Sequence, residues 1–311
     1  MADIATAASD WPAAEKHPAR VGTERCAISV RGLCKRYRGA AAVDGIDLDI
    51  RRGEIFALLG PNGAGKTTTI EILEGHRRKD GGEVSVLGAD PSRADRAWRA
   101  RIGIVPQTQI TAGELTVREM VSQFGAYFPD PRDPDEVIEA VGLSEQARTR
   151  LRRLSGGQLR RVDVAIGIVG RPELLFLDEP TTGFDPQARR AFWELIAGLA
   201  DDGTTILLTT HYLDEAAALA GRVGVLAGGR VVAIGTPADL GRGDDVATVS
   251  WQAPAGIRSV RTEEPTDFVL NLASDAGGEI PGLTVTRPSL EDRYLELIGA
   301  TRSEQSDDRH H

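Results

Sequence analysis

Between Ala27 and about Asp239, short apolar runs alternate with longer amphipathic stretches. Four runs stand out, at 55–59, 102–105, 174–177 and 205–209. Each is short, largely apolar and closed by glycine or a polar cluster, as strands buried on both faces of a parallel sheet tend to be. The alternation predicts an α/β sheet whose ligands sit at the carboxyl ends of its strands. The stretch 222–234 predicts a β-hairpin turning at Gly228-Gly229.

From 108 to 153 the strand signal disappears. A capping box, Thr116 with Glu119, opens a helix that carries Val117, Met120, Val121 and Phe124 on one face. This block predicts an inserted helical subdomain, about 108–165. Beyond Asp239 the pattern changes again. The segments 246–251, 268–272 and 283–286 read as short strands. A last helix is expected from Ser289, with Asp292 at its third position and Leu290, Tyr294, Leu297 and Ile298 buried. The expected division is a flexible N-terminal tail (1–24), a main domain (25–240), a small α+β domain (241–299) and a polar tail (300–311).

Composition narrows the function. A net charge of −9 argues against broad binding to nucleic-acid phosphates, which takes clustered Lys and Arg. The run from Arg148 to Arg153 has two readings, a local basic patch or a solvated helix face. The two cysteines, Cys26 and Cys34, lack CxxC spacing, so no zinc site is expected and the thiols are expected to stay reduced. No apolar run approaches the ~20 residues that span a bilayer, and residues 1–24 lack the pattern of a signal peptide. Work at a membrane would require a partner that holds the chain there.

The chemistry is concentrated in a few segments. Gly60-Pro61-Asn62-Gly63-Ala64-Gly65-Lys66-Thr67 matches GxxxxGK[ST], after an apolar run and before a helical run that starts at Thr68. In that setting the glycines turn backbone N–H groups toward phosphates, and the helix N-terminus adds partial positive charge. Lys66 is expected to reach the β and γ phosphates of ATP, and Thr67 to place its hydroxyl on Mg²⁺. A glycine-rich turn with a chance lysine is the bland alternative. The run 174–177 ends in Asp178-Glu179. Asp178 is placed to hold Mg²⁺, and Glu179 to orient and deprotonate the attacking water. Alone, such a pair is a weak signal with helix capping as the bland explanation, but with the glycine-rich loop upstream the functional reading dominates.

Leu154-Ser155-Gly156-Gly157-Gln158 resembles the signature sequence of the ATP-binding subunits of ABC transporters. Further markers of that family follow in order. Gln107 resembles the Q-loop glutamine, Asp185 in Gly183-Phe184-Asp185-Pro186 the D-loop aspartate, His211 the switch histidine, and Tyr37 the aromatic that stacks on adenine. Phe184 stands where the family most often has Leu, an apolar exchange. The resemblance covers roughly 27–239. It implies a P-loop NTPase fold of the ABC type, with an inserted helical subdomain and a small C-terminal α+β appendage. It implies that Gln107 contacts Mg²⁺ or the attacking water, and that His211 bonds the γ-phosphate. It further implies that Ser155, Gly156, Gly157 and Gln158 face the ATP of a second copy, so that two chains enclose two ATP molecules. Asp185 also reads as a helix cap with Pro186 at the first helical position.

Three function classes compete. A P-loop kinase or other NTPase leaves 154–158 unexplained. A soluble ABC ATPase acting on the ribosome or nucleic acid usually has tandem cassettes, a long coiled coil or zinc cysteines, and nothing here matches. A transporter subunit fits a single cassette. The stretches 181–186, 210–216 and 289–295 are similar to those of the daunorubicin and multidrug-resistance exporter ATPases. That resemblance implies ATP hydrolysis coupled to export through separate transmembrane permease subunits, at the cytoplasmic face of the membrane and without nucleic acid. It also implies that a groove beside the insert receives a short helix of the permease. Phe124, Tyr127 and Phe128 are candidates for that groove, or for the insert's own core.

Overall fold

The structure is a computed structural model that describes residues 26–108, 113–241, 246–253, 256–286, 291, 294 and 295. The expected tails lie outside the described residues, as do Leu290, Asp292, Leu297 and Ile298 of the expected last helix. The chain divides into two compact units, the first up to Val232 and the second from Ala233.

The first unit opens with β1 (Cys26–Tyr37), β2 (Ala40–Arg51), β3 (Ile55–Leu59), α1 (Lys66–Leu73), β4 (Gly81–Val86), α2 (Arg96–Arg99) and β5 (Ile102–Val105). The helical insert follows as α3 (Val117–Gly125), α4 (Pro134–Ala140) and α5 (Gly156–Ile168). The chain then returns to the sheet through β6 (Leu174–Asp178), α6 (Pro186–Asp201), β7 (Thr205–Thr210), α7 (Leu213–Leu219), β8 (Arg222–Ala227) and β9 (Arg230–Gly235).

The main sheet has the order β5-β6-β7-β3-β8-β9. Its pairs β5/β6, β6/β7, β7/β3 and β3/β8 are all parallel. Every residue of β6 and β7 is buried, which explains why these strands read as unbroken apolar runs. β1, β2 and β4 form a second, antiparallel sheet. Ile28, Val30, Ile46 and Ile50 of this sheet share one core with Ile70 and Leu73 of α1 and with Phe56, Phe176 and Leu207 of the main sheet. Helix α1 is thus held by apolar contacts along its length, which leaves its N-terminus free for chemistry. β8 and β9 form the expected hairpin, and both Gly228 (φ 56°) and Gly229 (φ 81°) take the left-handed conformation that a tight two-residue turn demands. The insert starts with the capping box at Thr116 and buries Val117, Met120 and Val121; Phe124 is half-buried.

The second unit contains α8 (Pro237–Gly241), β10 (Ala247–Ala253), β11 (Gly256–Thr262), α9 (Pro265–Ala276) and β12 (Thr284–Thr286), with sheet order β11-β10-β12. One expectation is overturned here. Residues 268–272 belong to α9 and not to a strand. Pro265, Phe268, Val269, Leu272 and Ala273 are the partly buried positions of α9, a helical spacing. Pro265 at the first turn and left-handed Gly277 at the end mark the helix boundaries.

Candidate nucleotide site

Parallel register brings four distant segments to one sheet edge. Leu59 pairs with Thr210, Asp178 with Thr209, and Val105 with Leu177. The strands β5, β6, β7 and β3 therefore end side by side, and the residues that follow them are Gln107, Glu179, His211 and the loop from Gly60 to Lys66.

That loop is shaped by close approach. A Cβ on Gly65 would lie 2.3 Å from the carbonyl oxygen of Ala42, and its φ of 106° disfavours any side chain. A Cβ on Gly60 would lie 2.4 Å from the carbonyl oxygen of Leu226. Helix α1 starts at Gly65 with no side-chain cap and no acidic residue in its first turn. Its leading N–H groups are open to an anion. Lys66 is 4% exposed and turns back over the loop, donating to the carbonyls of Gly60 (2.8 Å) and Pro61 (3.3 Å).

Glu179 is the centre of the charged cluster. Its Oε1 lies 3.2 Å from Lys66 Nζ, and its Oε2 accepts from Gln107 Nε2 at 3.2 Å. His211 Nδ1 lies 3.4 Å from the same Oε2, in electrostatic range without hydrogen-bond geometry. The backbone of Glu179 has φ 45°, a left-handed conformation rare for a non-glycine residue. Such strain costs on the order of 1–3 kcal/mol and persists only where neighbours over-determine it. Here the Glu179 N–H donates to both the carbonyl and the hydroxyl of Thr209, each at 3.1 Å. Asp178 is buried one residue earlier and accepts from the Thr209 hydroxyl. Burial pushes its carboxyl above the usual range, and the adjacent Glu179 adds to this. The Thr209 hydrogen bond, Lys66 and Thr67 pull the other way.

A cleft of about 570 Å³ joins these groups. Its wall takes Asn62, Gly63, Gly65, Lys66, Thr67 and Thr68 from the loop and helix start, and Gln107, Glu179 and His211 from the other strand ends. Ala42 and Thr182 also line it. Neither stands out as a site residue from sequence: Ala42 is a plain alanine, and Thr182 stands out only as part of the stretch 181–186.

The remaining candidates lie outside that cleft wall. Tyr37, 38% exposed, is flanked by Lys35 Nζ and Arg77 Cζ at 5.6 and 5.4 Å from its ring centroid. Ser155 caps α5 in a closed box, in which Gln158 N donates to its Oγ (3.2 Å) and Ser155 N donates to Gln158 Oε1 (3.0 Å). Asp185 caps α6, accepting from Gln187 N and Ala188 N at 2.9 and 2.8 Å. Reasoning from sequence missed Arg160, buried on α5. It donates to carbonyls on either side of Glu179.

Comparison with known proteins agrees with this geometry. The profile of the family described as ABC transporter matches residues 43–182. The daunorubicin/doxorubicin resistance ATP-binding protein DrrA of Streptomyces peucetius is 43% identical over 312 residues, covering 90% of this chain and 94% of that protein. The Nod factor export ATP-binding protein I of Ralstonia nicotianae is 39% identical, covering 88% and 94%. The chain belongs to the ABC transporter ATP-binding family. It is an ATP-binding and ATP-hydrolysing transporter subunit, akin to export ATPases. A solved ATP-binding subunit of an ABC transporter superposes with a TM-score of 0.62 at 28% identity, covering 69% of this chain and 92% of that one. A cassette solved as a dimer with ADP and phosphate shares the fold at 24% identity and a TM-score of 0.60, covering 67% and 98%. Among the described residues of this ABC subunit, no helix is long and apolar enough to cross a membrane.

Proposed function

We propose that this ABC subunit powers export of a drug-like small molecule through separate permease subunits, working as a homodimer around two ATP molecules at the cytoplasmic face of the membrane. One observation carries the reading. A single carboxylate, Glu179, faces Lys66, Gln107 and His211 at the head of an uncapped helix. Lys66 balances the charge of Glu179 in this arrangement. When the γ-phosphate takes that ammonium, Glu179 is released to accept a proton from water held by Gln107, while His211 donates to the phosphate.

The donor set suits Mg²⁺. Asp178 and Thr67 offer a carboxylate and a hydroxyl, hard oxygens of the kind that hold a cation already chelated by phosphates. No cluster of three or more His, Cys, Asp or Glu among the described residues would bind a metal alone. Bound there, with Gln107 as a further oxygen donor, the cation would neutralise charge on the phosphates.

Ser155 to Gln158 and Asp185 stand outside the cleft wall of their own chain, which supports a role toward the ATP of a second copy. Tyr37 is exposed enough to stack on adenine. A cavity of about 190 Å³ takes Phe124 and Phe128 in its wall, and one of about 900 Å³ takes Tyr127 and Phe128. Tyr127 is 62% exposed and so is not insert core. This favours the groove as the seat of the permease helix. The small domain from about 241 to 299 is proposed as a separate appendage.

Fractionation tests the reading. Expressed alone, the chain should stay in the soluble fraction; with its permease it should sediment with membranes, and inverted vesicles should take up an anthracycline when given ATP. A chain that stays soluble with every permease offered, or binds ribosomes instead, would overturn it.

A further inference from the structure

Arg160 is the largest fully buried side chain among the described residues, 2% exposed. It sits on α5, little more than a turn beyond Ser155, where a charged residue in a helix ordinarily faces solvent. Its guanidinium is used almost completely. Nε donates to the carbonyl of Pro180 (2.9 Å), Nη2 to that of Asp178 (3.0 Å), and Nη1 to that of Pro106. Asp163 Oδ2 lies 3.5 Å from Nη1. Burial lowers its pKa, yet arginine remains protonated in proteins.

Buried charge is a poor device for stability, because desolvation offsets most of what the contacts gain. The places that Arg160 touches suggest another reason for it. Asp178 and Pro180 bracket Glu179, whose backbone is held in the strained left-handed conformation. Pro106 immediately precedes Gln107. A planar fork with several fixed donors can clamp these carbonyls together, which a lysine point charge cannot do. The clamp is mounted on the same helix whose first turn carries the signature segment.

We propose that Arg160 is a positioning residue that holds Glu179 and Gln107 in register and ties them to the signature helix, so that engagement of Ser155 by one ATP is felt at the water-activating carboxylate of the other. This rests on Glu179 being the base and on Ser155 facing the ATP of a second copy. Arg160 touches no substrate. It acts through the backbone on either side of Glu179, and its helix links the two sites of the dimer.

The test is a double-mutant cycle on the full chain, using Arg160→Gln, Arg160→Lys, Glu179→Gln and the Arg160→Gln/Glu179→Gln pair. ATP affinity is measured by fluorescent-nucleotide titration, and kcat and the Hill coefficient by phosphate release. Arg160→Gln should lower kcat about 10- to 100-fold, with ATP affinity within about threefold of the parent and the Hill coefficient moved toward one. Arg160→Lys should fall between the two, and it serves as the readable variant if the glutamine form fails to fold. The double variant should be no slower than Glu179→Gln, since a residue acting through the base has nothing left to position. Three results would overturn the proposal: kcat within about twofold of the parent, an equal loss of affinity and kcat, or an additive double variant. If Glu179→Gln itself turns over at the parent rate, the reading of the base fails. If Glu179→Gln is inactive while Arg160→Gln is fully active, only the clamp fails.

Discussion

Two helices of the first unit begin in glycine-rich segments, and they satisfy their leading N–H groups in opposite ways. Helix α1 starts at Gly65 with no capping side chain, and Lys66 folds back beside its opening. Helix α5 starts at Ser155 with a closed box in which Ser155 and Gln158 bond each other's backbone. An uncapped start leaves orphan donors and a positive helix end for an anion. A closed box occupies the N–H groups of Ser155 and Gln158 and fixes the Ser155 hydroxyl at the helix start. On the proposed reading the first start is the phosphate seat that each chain supplies to its own ATP. In the proposed dimer the second start faces the ATP of the other copy, which fits its place outside its own cleft.

Removing Lys66 should separate the two starts most strongly. Lys66→Ala loses a charge-assisted contact that α1 has no cap to replace. Nucleotide titration should show greatly weakened binding, and phosphate release should fall to background. A variant that binds ATP as the parent does would mean that the open amides alone make the seat.

Ser155→Arg should have a smaller and different effect. Binding by the monomer should be nearly intact, because Ser155 does not line its own cleft. Hydrolysis should drop by about 10²-fold or more, since dimer closure is blocked. Parallel losses of binding in both variants would erase the distinction between the two starts.

The far end of α1 gives the mildest test. Glu74 is its C-cap and is buried, with Asp178, Glu71 and His76 nearby. Burial, with Asp178 and then Glu71 adding to it, raises its pKa from 4.5 to about 8. Folded protein thus keeps a proton that the unfolded chain gives up at ordinary acid pH. Stability falls as pH rises from 4.5 through about 8, and below 4.5 the group costs nothing. Glu74→Gln should raise the melting temperature at pH 8, lose that advantage near pH 4.5 and leave hydrolysis largely unchanged. A melting curve whose pH dependence matches the parent's would show that Glu74 ionises normally.

The site was more legible in the sequence than the sheet that supports it. The strands leading to Gly60, Gln107, Glu179 and His211 are buried in a parallel sheet, so they read as plain apolar runs with polar ends. β1 and β2 escaped notice because their register shifts four times and residues such as Arg31 and Asp49 pair on an exposed face, which breaks the alternation. β11 is exposed at most positions and carries no period to read. The segment 268–272 is short and apolar, and only Pro265 before it and Gly277 after it separate a helix from a strand. Arg160 was invisible because a charged residue inside a helix signals solvent unless its partners are known, and those partners are carbonyls far along the chain.

The most direct test of the central claim is Glu179→Gln, followed by size-exclusion chromatography with ATP and Mg²⁺. The amide keeps the side-chain size and can still bond water, but it takes no proton. Losing a general base typically costs about 10² to 10⁴ in rate. Removing a carboxylate beside the γ-phosphate also relieves like-charge repulsion while the P-loop amides and Lys66 remain. The variant is expected to bind ATP, elute as a dimer and hardly turn over, whereas the parent does not shift. Hydrolysis at nearly the parent rate, or loss of ATP binding, would contradict the role of Glu179 as the base of a site completed by two chains.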